Sequence, residues 1–195
     1  QDEGARHVAE AARAAGVKAF VHMSAIGADA ASPSVYARTK AAGEAAVKEV
    51  IPAAVILRPS VVFGPEDEFF NRFAALARLS PVLPLIGGGR TQFQPVFVGD
   101  LAKAVVAALT GKAQAGAVYE LGGPEILSMK EVMERVLTYT MRKRMLVTLP
   151  FPLAKLQGAM LQLLPNPPLT LDQVRLLEKD NVVSEAAKHD RHTLE

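Results

Sequence analysis

Tyr36 and Lys40 stand four residues apart and Ser24 lies twelve residues before the tyrosine. On a helix the first two share one face. A phenol with a pKa near 10 is a poor acid or base at neutral pH. An adjacent ammonium stabilises the phenolate and lowers that pKa toward the working range, so the pair reads as a general acid/base unit. A hydroxyl at the carboxyl end of a strand sits where ligands gather in open α/β sheets. Ser24 is therefore placed to hold a substrate oxygen against Tyr36. The plainer reading of a bare Y-x-x-x-K spacing is an amphipathic helix with an exposed pair.

The elements that must position these groups are legible. Residues 2–15 put Val8, Ala11, Ala12 and Ala15 on one helical face, and Gly16 stops the helix. Residues 18–24 read as a short buried strand and residues 27–33 as a loop. Ser34 is an N-cap for a helix reaching about Val50. The apolar run 53–57, closed by Arg58 and Pro59, has the form of a strand buried on both faces of a parallel sheet. Further on, residues 68–79 read as a helix, 81–89 as a loop, 94–98 as a short strand, and 101–109 as a helix capped by Asp100. Residues 117–121 form another strand. Ser128 and Glu131 make a capping box for a helix to about Tyr139. Segments 151–164 and 171–179 read as helices with a proline-rich joint at 165–168. Strand and helix alternate, which predicts an α/β fold built on a doubly wound parallel sheet with a smaller helical C-terminal lobe. The expected division falls between residues 1–123 and 124–195.

Composition narrows the chemistry. The 195 residues are 50% hydrophobic and 22% charged, which suits a packed globular domain. No cysteine is present, so thiol nucleophiles, disulfides and thiolate metal sites are excluded. A net charge of +2 without a basic run is a poor footprint for nucleic acid. No run approaches the roughly 20 apolar residues of a membrane span.

The segments FVHMSAIGA, YARTKAAGEAAV, AVILRPSVVFGPED and QPVFVGDLAKAV, in that order, resemble the later half of the Rossmann domain of the short-chain dehydrogenase/reductase superfamily. The likeness is to its extended or atypical branch, the epimerase/dehydratase proteins, and covers residues 1–123. Within it, the RPS, FGPED and QPVFVGD motifs are most similar to the NAD(P)-binding accessory subunit of respiratory complex I and its bacterial relatives. The resemblance implies an active site of Ser24, Tyr36 and Lys40, with Lys40 also bonding nicotinamide ribose hydroxyls. It further implies Pro59, Ser60 and Val61 beside the nicotinamide, largely through backbone groups. The cofactor is then NAD or NADP.

Two departures from the family pattern bear on function. Its glycine-rich phosphate turn and ribose-reading acidic residue are missing, so the chain reads as a fragment whose first half precedes Gln1. Gly87, Gly88 and Gly89 are no substitute, because they open no helix. Nucleotide-sugar enzymes of the family also carry an arginine for the diphosphate where this chain has Phe93, which disfavours a nucleotide sugar. His22 reads as a hydrogen-bonded core residue, and Glu66, Asp67 and Glu68 as a solvated approach to a helix N-terminus. His189 and His192 lack a completing carboxylate, so no metal is expected. Residues 151–164, apolar nearly all round, read as a buried helix, with a partner or membrane surface as the lesser reading.

Two functions follow as expectations. One is an NAD(P)-dependent oxidoreductase or epimerase/dehydratase-like protein, using Ser24, Tyr36 and Lys40 for acid/base-assisted hydride transfer on a small molecule. The other is a catalytically silent NAD(P)H-binding accessory or assembly subunit of a respiratory complex. A cytoplasmic location, with inner-membrane association through peripheral contact, and a homo-oligomer are expected with either.

Overall fold

The computed structural model describes residues 2–165 and 167–189. Its centre is a parallel three-stranded sheet of β1 (Val21–Met23), β2 (Val55–Pro59) and β7 (Val118–Leu121), in the order β1-β2-β7. Helices α1 (Asp2–Ala14) and α2 (Val35–Val50) cover one face, and α4 (Val98–Leu109) covers the other. Strand β2 supplies both cores: Ile56 joins Ala9, Val47 and Val50, while Val55 and Leu57 join Leu101, Ala104 and Ala108. Burial on both faces is why its sequence is a continuous apolar run rather than an alternating one.

Around this sheet sit three two-stranded ones. Strand β3 (Val62–Phe63) pairs in parallel with β6 (Val96–Phe97), and β4 (Val82–Ile86) with β9 (Met145–Leu149). Strand β5 (Gln92–Phe93) runs antiparallel to β8 (Leu127–Ser128). With α3 (Phe70–Leu79) and α5 (Met129–Tyr139) they enclose a third core of Leu83, Leu85, Phe93, Met129, Met133 and Leu137. Helices α6 (Phe151–Leu161), α7 (Leu171–Leu176) and α8 (Glu185–His189) complete the chain. Gly123 lets two segments touch, since a Cβ there would lie 1.9 Å from the Pro95 carbonyl oxygen.

Several expectations change. Residues 81–89 are not a loop: β4 occupies 82–86, with Leu83 and Leu85 buried and Pro84 outward. A proline is tolerated because this strand pairs on one side only. The three glycines therefore do follow a strand, but they form a 3-10 turn with φ of 61°, 74° and 69°. Phe151 packs on Gly87 and the Lys130 backbone on Gly89. Helix α4 starts at Val98 rather than Leu101, so Asp100 lies in its first turn and bonds Lys103 instead of capping. Residues 142–149, assigned no strand by pattern, include β9. Helix α6 is not buried all round: Ala154 and Gly158 face inward, whereas Leu153, Leu156 and Met160 are exposed. Gly158 meets the start of α7, where a Cβ on it would lie 2.9 Å from the Leu171 nitrogen. No described helix is long and apolar enough to cross a membrane.

Candidate active site

Ser24 sits one residue beyond β1, its amide continuing the ladder to the Leu57 carbonyl at 2.7 Å. It is 3% exposed, and its Oγ has no hydrogen-bond partner among the described residues. A buried hydroxyl left unpaired costs about 1–3 kcal/mol, so natural cores seldom keep one without a use. Tyr36 and Lys40 occupy the first turns of α2, whose N-cap is Ser34, with its Oγ accepting from the Ala37 amide. The Lys40 ammonium lies 5.7 Å from the Tyr36 ring centroid and donates to the Met23 carbonyl at 3.4 Å. Lysine thereby bridges the tyrosine and the residue preceding Ser24.

One expected effect does not occur. Burial pushes the Tyr36 phenol above its ordinary pKa of 10.0, so the lowering expected from Lys40 does not prevail. The ammonium lies over the ring and is tied to the Met23 carbonyl. At neutral pH the group is therefore a protonated phenol, suited to donating a proton.

The backbone at 59–61 is already in use. Pro59 accepts from the Ile26 amide, the Ser60 amide donates to Leu121, and Val61 accepts from the Val96 amide. The Ser60 hydroxyl donates to Asn181 Oδ1 at 2.6 Å and to its carbonyl at 2.8 Å. Asn181 also reaches the Ile26 carbonyl, and its backbone is bonded to Gln92 and Gln94. Residues 180–184 thus form a strap across the carboxyl ends of β1 and β2, extended by Val183 to the Gln94 side chain and Ser184 to Glu120.

Two further groups that sequence patterns missed hold the tyrosine helix. The Asp172 carboxylate accepts from the Val35 amide at 2.8 Å, the Tyr36 amide at 3.1 Å and the Ser34 hydroxyl at 2.9 Å. Burial alone would raise its pKa, but these bonds and the nearby Arg175 charge hold it below the usual value. Glu44, buried on α2, receives both Nε (2.8 Å) and Nη2 (2.6 Å) of Arg58 on β2. His22 is half-buried on β1 against Gly43, not a hydrogen-bonded core residue. Burial and then the Lys40 charge push its pKa below 6.5, with Glu44 opposing. Asp67 behaves as read, accepting from the Phe70 amide at the start of α3. His192 lies outside the described residues, and no metal-ligating cluster of three occurs within them.

Phe93, where the family's sugar enzymes are expected to carry an arginine, is 5% exposed and packs against Phe69 with ring centroids 5.4 Å apart and the rings tilted by 49°. A cavity of about 440 Å³ opens nearby between α3, α5 and the turn after β7, walled by Phe63, Phe70, Ala74, Pro95 and Val136 among others.

The chain is 37% identical over 201 residues to an Arabidopsis thaliana protein, NADH dehydrogenase [ubiquinone] 1 alpha subcomplex subunit 9, mitochondrial; the match covers 95% of this chain and 50% of that one. It is 42% identical over 105 residues to a ceramide reductase of Caulobacter vibrioides, covering 54% of this chain and 32% of the relative. Across these and the related complex I subunits, the chain spans half their length or less. Among solved structures, a dTDP-glucose 4,6-dehydratase from Streptomyces venezuelae with NAD and TYD bound superposes with a TM-score of 0.67 at 20% identity, over 98% of this chain and 64% of that one. The pattern of the NAD dependent epimerase/dehydratase family matches residues 3–122, well over half the chain, and to that family this protein belongs.

Proposed function

We propose that this chain carries the acid–base half of an NAD(P)-dependent oxidoreductase site of the epimerase/dehydratase type. The observation that carries the reading is the Ser24 hydroxyl, buried and unpaired at the carboxyl edge of the central sheet. A hydroxyl kept in that state beside Met23, whose carbonyl holds Lys40, fits a substrate oxygen that completes its hydrogen bonding. Tyr36 and Lys40 fit the ribose and nicotinamide side of a dinucleotide, and Pro59, Ser60 and Val61 lie along the same edge.

When bound, the reduced nicotinamide supplies a hydride to a carbonyl carbon. Tyr36, a protonated phenol at neutral pH, gives its proton to the carbonyl oxygen as the alcohol forms. Ser24 donates to the same oxygen and orients it. Lys40 holds the ring face of Tyr36 and would bind the ribose hydroxyls of the nucleotide.

The accessory reading is favoured by a different observation. Lys40 does not depress the Tyr36 pKa, and the strap already satisfies the Ser60 side chain. On that reading the protein is a nucleotide-binding, non-turning subunit that docks with respiratory-complex proteins, as the names of its Arabidopsis and other relatives suggest. One experiment separates the two: NADH or NADPH is added to the full-length protein, and thermal stabilisation and cofactor oxidation are measured against carbonyl compounds and quinones. Turnover abolished by Tyr36→Phe supports the enzyme. Binding without turnover, unchanged by Tyr36→Phe, supports the accessory subunit. Binding of neither nucleotide overturns both.

A further inference from the structure

The 440 Å³ cavity lies in the range of small-molecule sites. It opens at the carboxyl end of the same parallel sheet as Ser24: Pro124 and Glu125 follow β7, which lies across β2 from β1, the strand that Ser24 follows. Its wall is aromatic and aliphatic, with Phe63 and Phe70 packed edge to face at 5.9 Å. The polar side chains around it are largely spent on the protein itself. Asp67 accepts from the Phe70 and Asn71 amides, Asn71 donates to the Pro65 carbonyl, and Thr140 donates to Val136. Arg135 and Glu125 neutralise each other at the rim. Phe93 and Phe69 close the neighbouring region with carbon rather than with a cation for a diphosphate.

A lining that is apolar in shape and self-satisfied in charge selects against anions, which would have to break the Arg135–Glu125 pair and lose water without a new partner. We infer that this cavity takes the hydrocarbon part of an uncharged long-chain carbonyl or alcohol. The inference names the substrate class of the oxidoreductase reading and rests on it.

The test needs no nucleotide, so its failure is distinct from failure of the cofactor reading. The full chain is loaded with the neutral fluorophore Nile red, which is displaced with straight-chain alcohols from hexanol to tetradecanol and, separately, with decanoate. Each added methylene is expected to tighten displacement about fourfold until the cavity is full. Decanoate is expected to be weaker than decanol by about tenfold or more. Ala74→Trp, which fills the cavity from α3, is expected to abolish displacement, and Ala75→Trp on the exposed side of the same helix is expected to leave it intact. Should Ala74→Trp fail to fold, Asn71→Trp at the exposed rim serves the same purpose. Affinity independent of chain length, decanoate equal to decanol, or displacement indifferent to the blocking variant would each overturn the proposal.

Discussion

Ser24 and His22 sit two residues apart, His22 on β1 and Ser24 just beyond its end, and burial constrains each differently. Ser24 keeps a hydroxyl that contributes nothing to the described fold, so Ser24→Ala is expected to leave stability unchanged or raise it by up to about 1 kcal/mol. Nucleotide-dependent turnover should fall in the same variant; a loss of stability on denaturant unfolding would refute the functional assignment. His22 titrates below 6.5 in the folded chain because burial and Lys40 oppose its charge. The unfolded chain therefore binds the proton first as pH falls. Stability should be level above about pH 6.5 and decline below it, until the folded pKa is passed. Unfolding midpoints between pH 7.5 and pH 5, on the order of that window, test this. His22→Gln should flatten the slope.

At the scale of elements, the short-range signals read true. Ser34 caps α2 and the Ser128–Glu131 capping box opens α5, because each uses only neighbours within one turn. What sequence could not show is pairing across long separations. Strand β9 joins β4 through partners such as Leu83 and Leu146, and no local pattern announces that match. The Asp172 contact to α2 spans 136 to 138 residues, so the helix carrying Tyr36 is capped twice, once from within and once from the far lobe. Loss of the second cap in Asp172→Ala should cost about 1–2 kcal/mol, whereas Asp172→Asn, which keeps an acceptor, should cost less. Chemical denaturation of both variants checks the order. The proximity of Tyr36 and Lys40 was legible from their spacing, but the position of Lys40 over the ring was not. That detail depends on the Met23 carbonyl, which tertiary packing brings to the ammonium.

Across the whole molecule, residues 172–184 are tied to the opening half at Ser34, Ser60, Ile26 and Glu120. The two parts expected to divide at residue 123 are therefore not expected to melt separately. A single transition should be seen alike by far-ultraviolet circular dichroism and by tyrosine fluorescence. Two resolved transitions would contradict the coupling. Removing residues 180–195 should lower the melting midpoint by several degrees, about what a loss near 1 kcal/mol produces in a chain of this size. The strap also sets an order of events during synthesis. Ser60 meets Asn181 across 121 residues, and Ile26 meets it across 155, so these bonds close only after residue 181 has left the ribosome. Until then the nascent sheet presents an open carboxyl edge, and the slow, long-range closure of that edge is the step at which a chaperone or an assembly partner would find the protein unfinished.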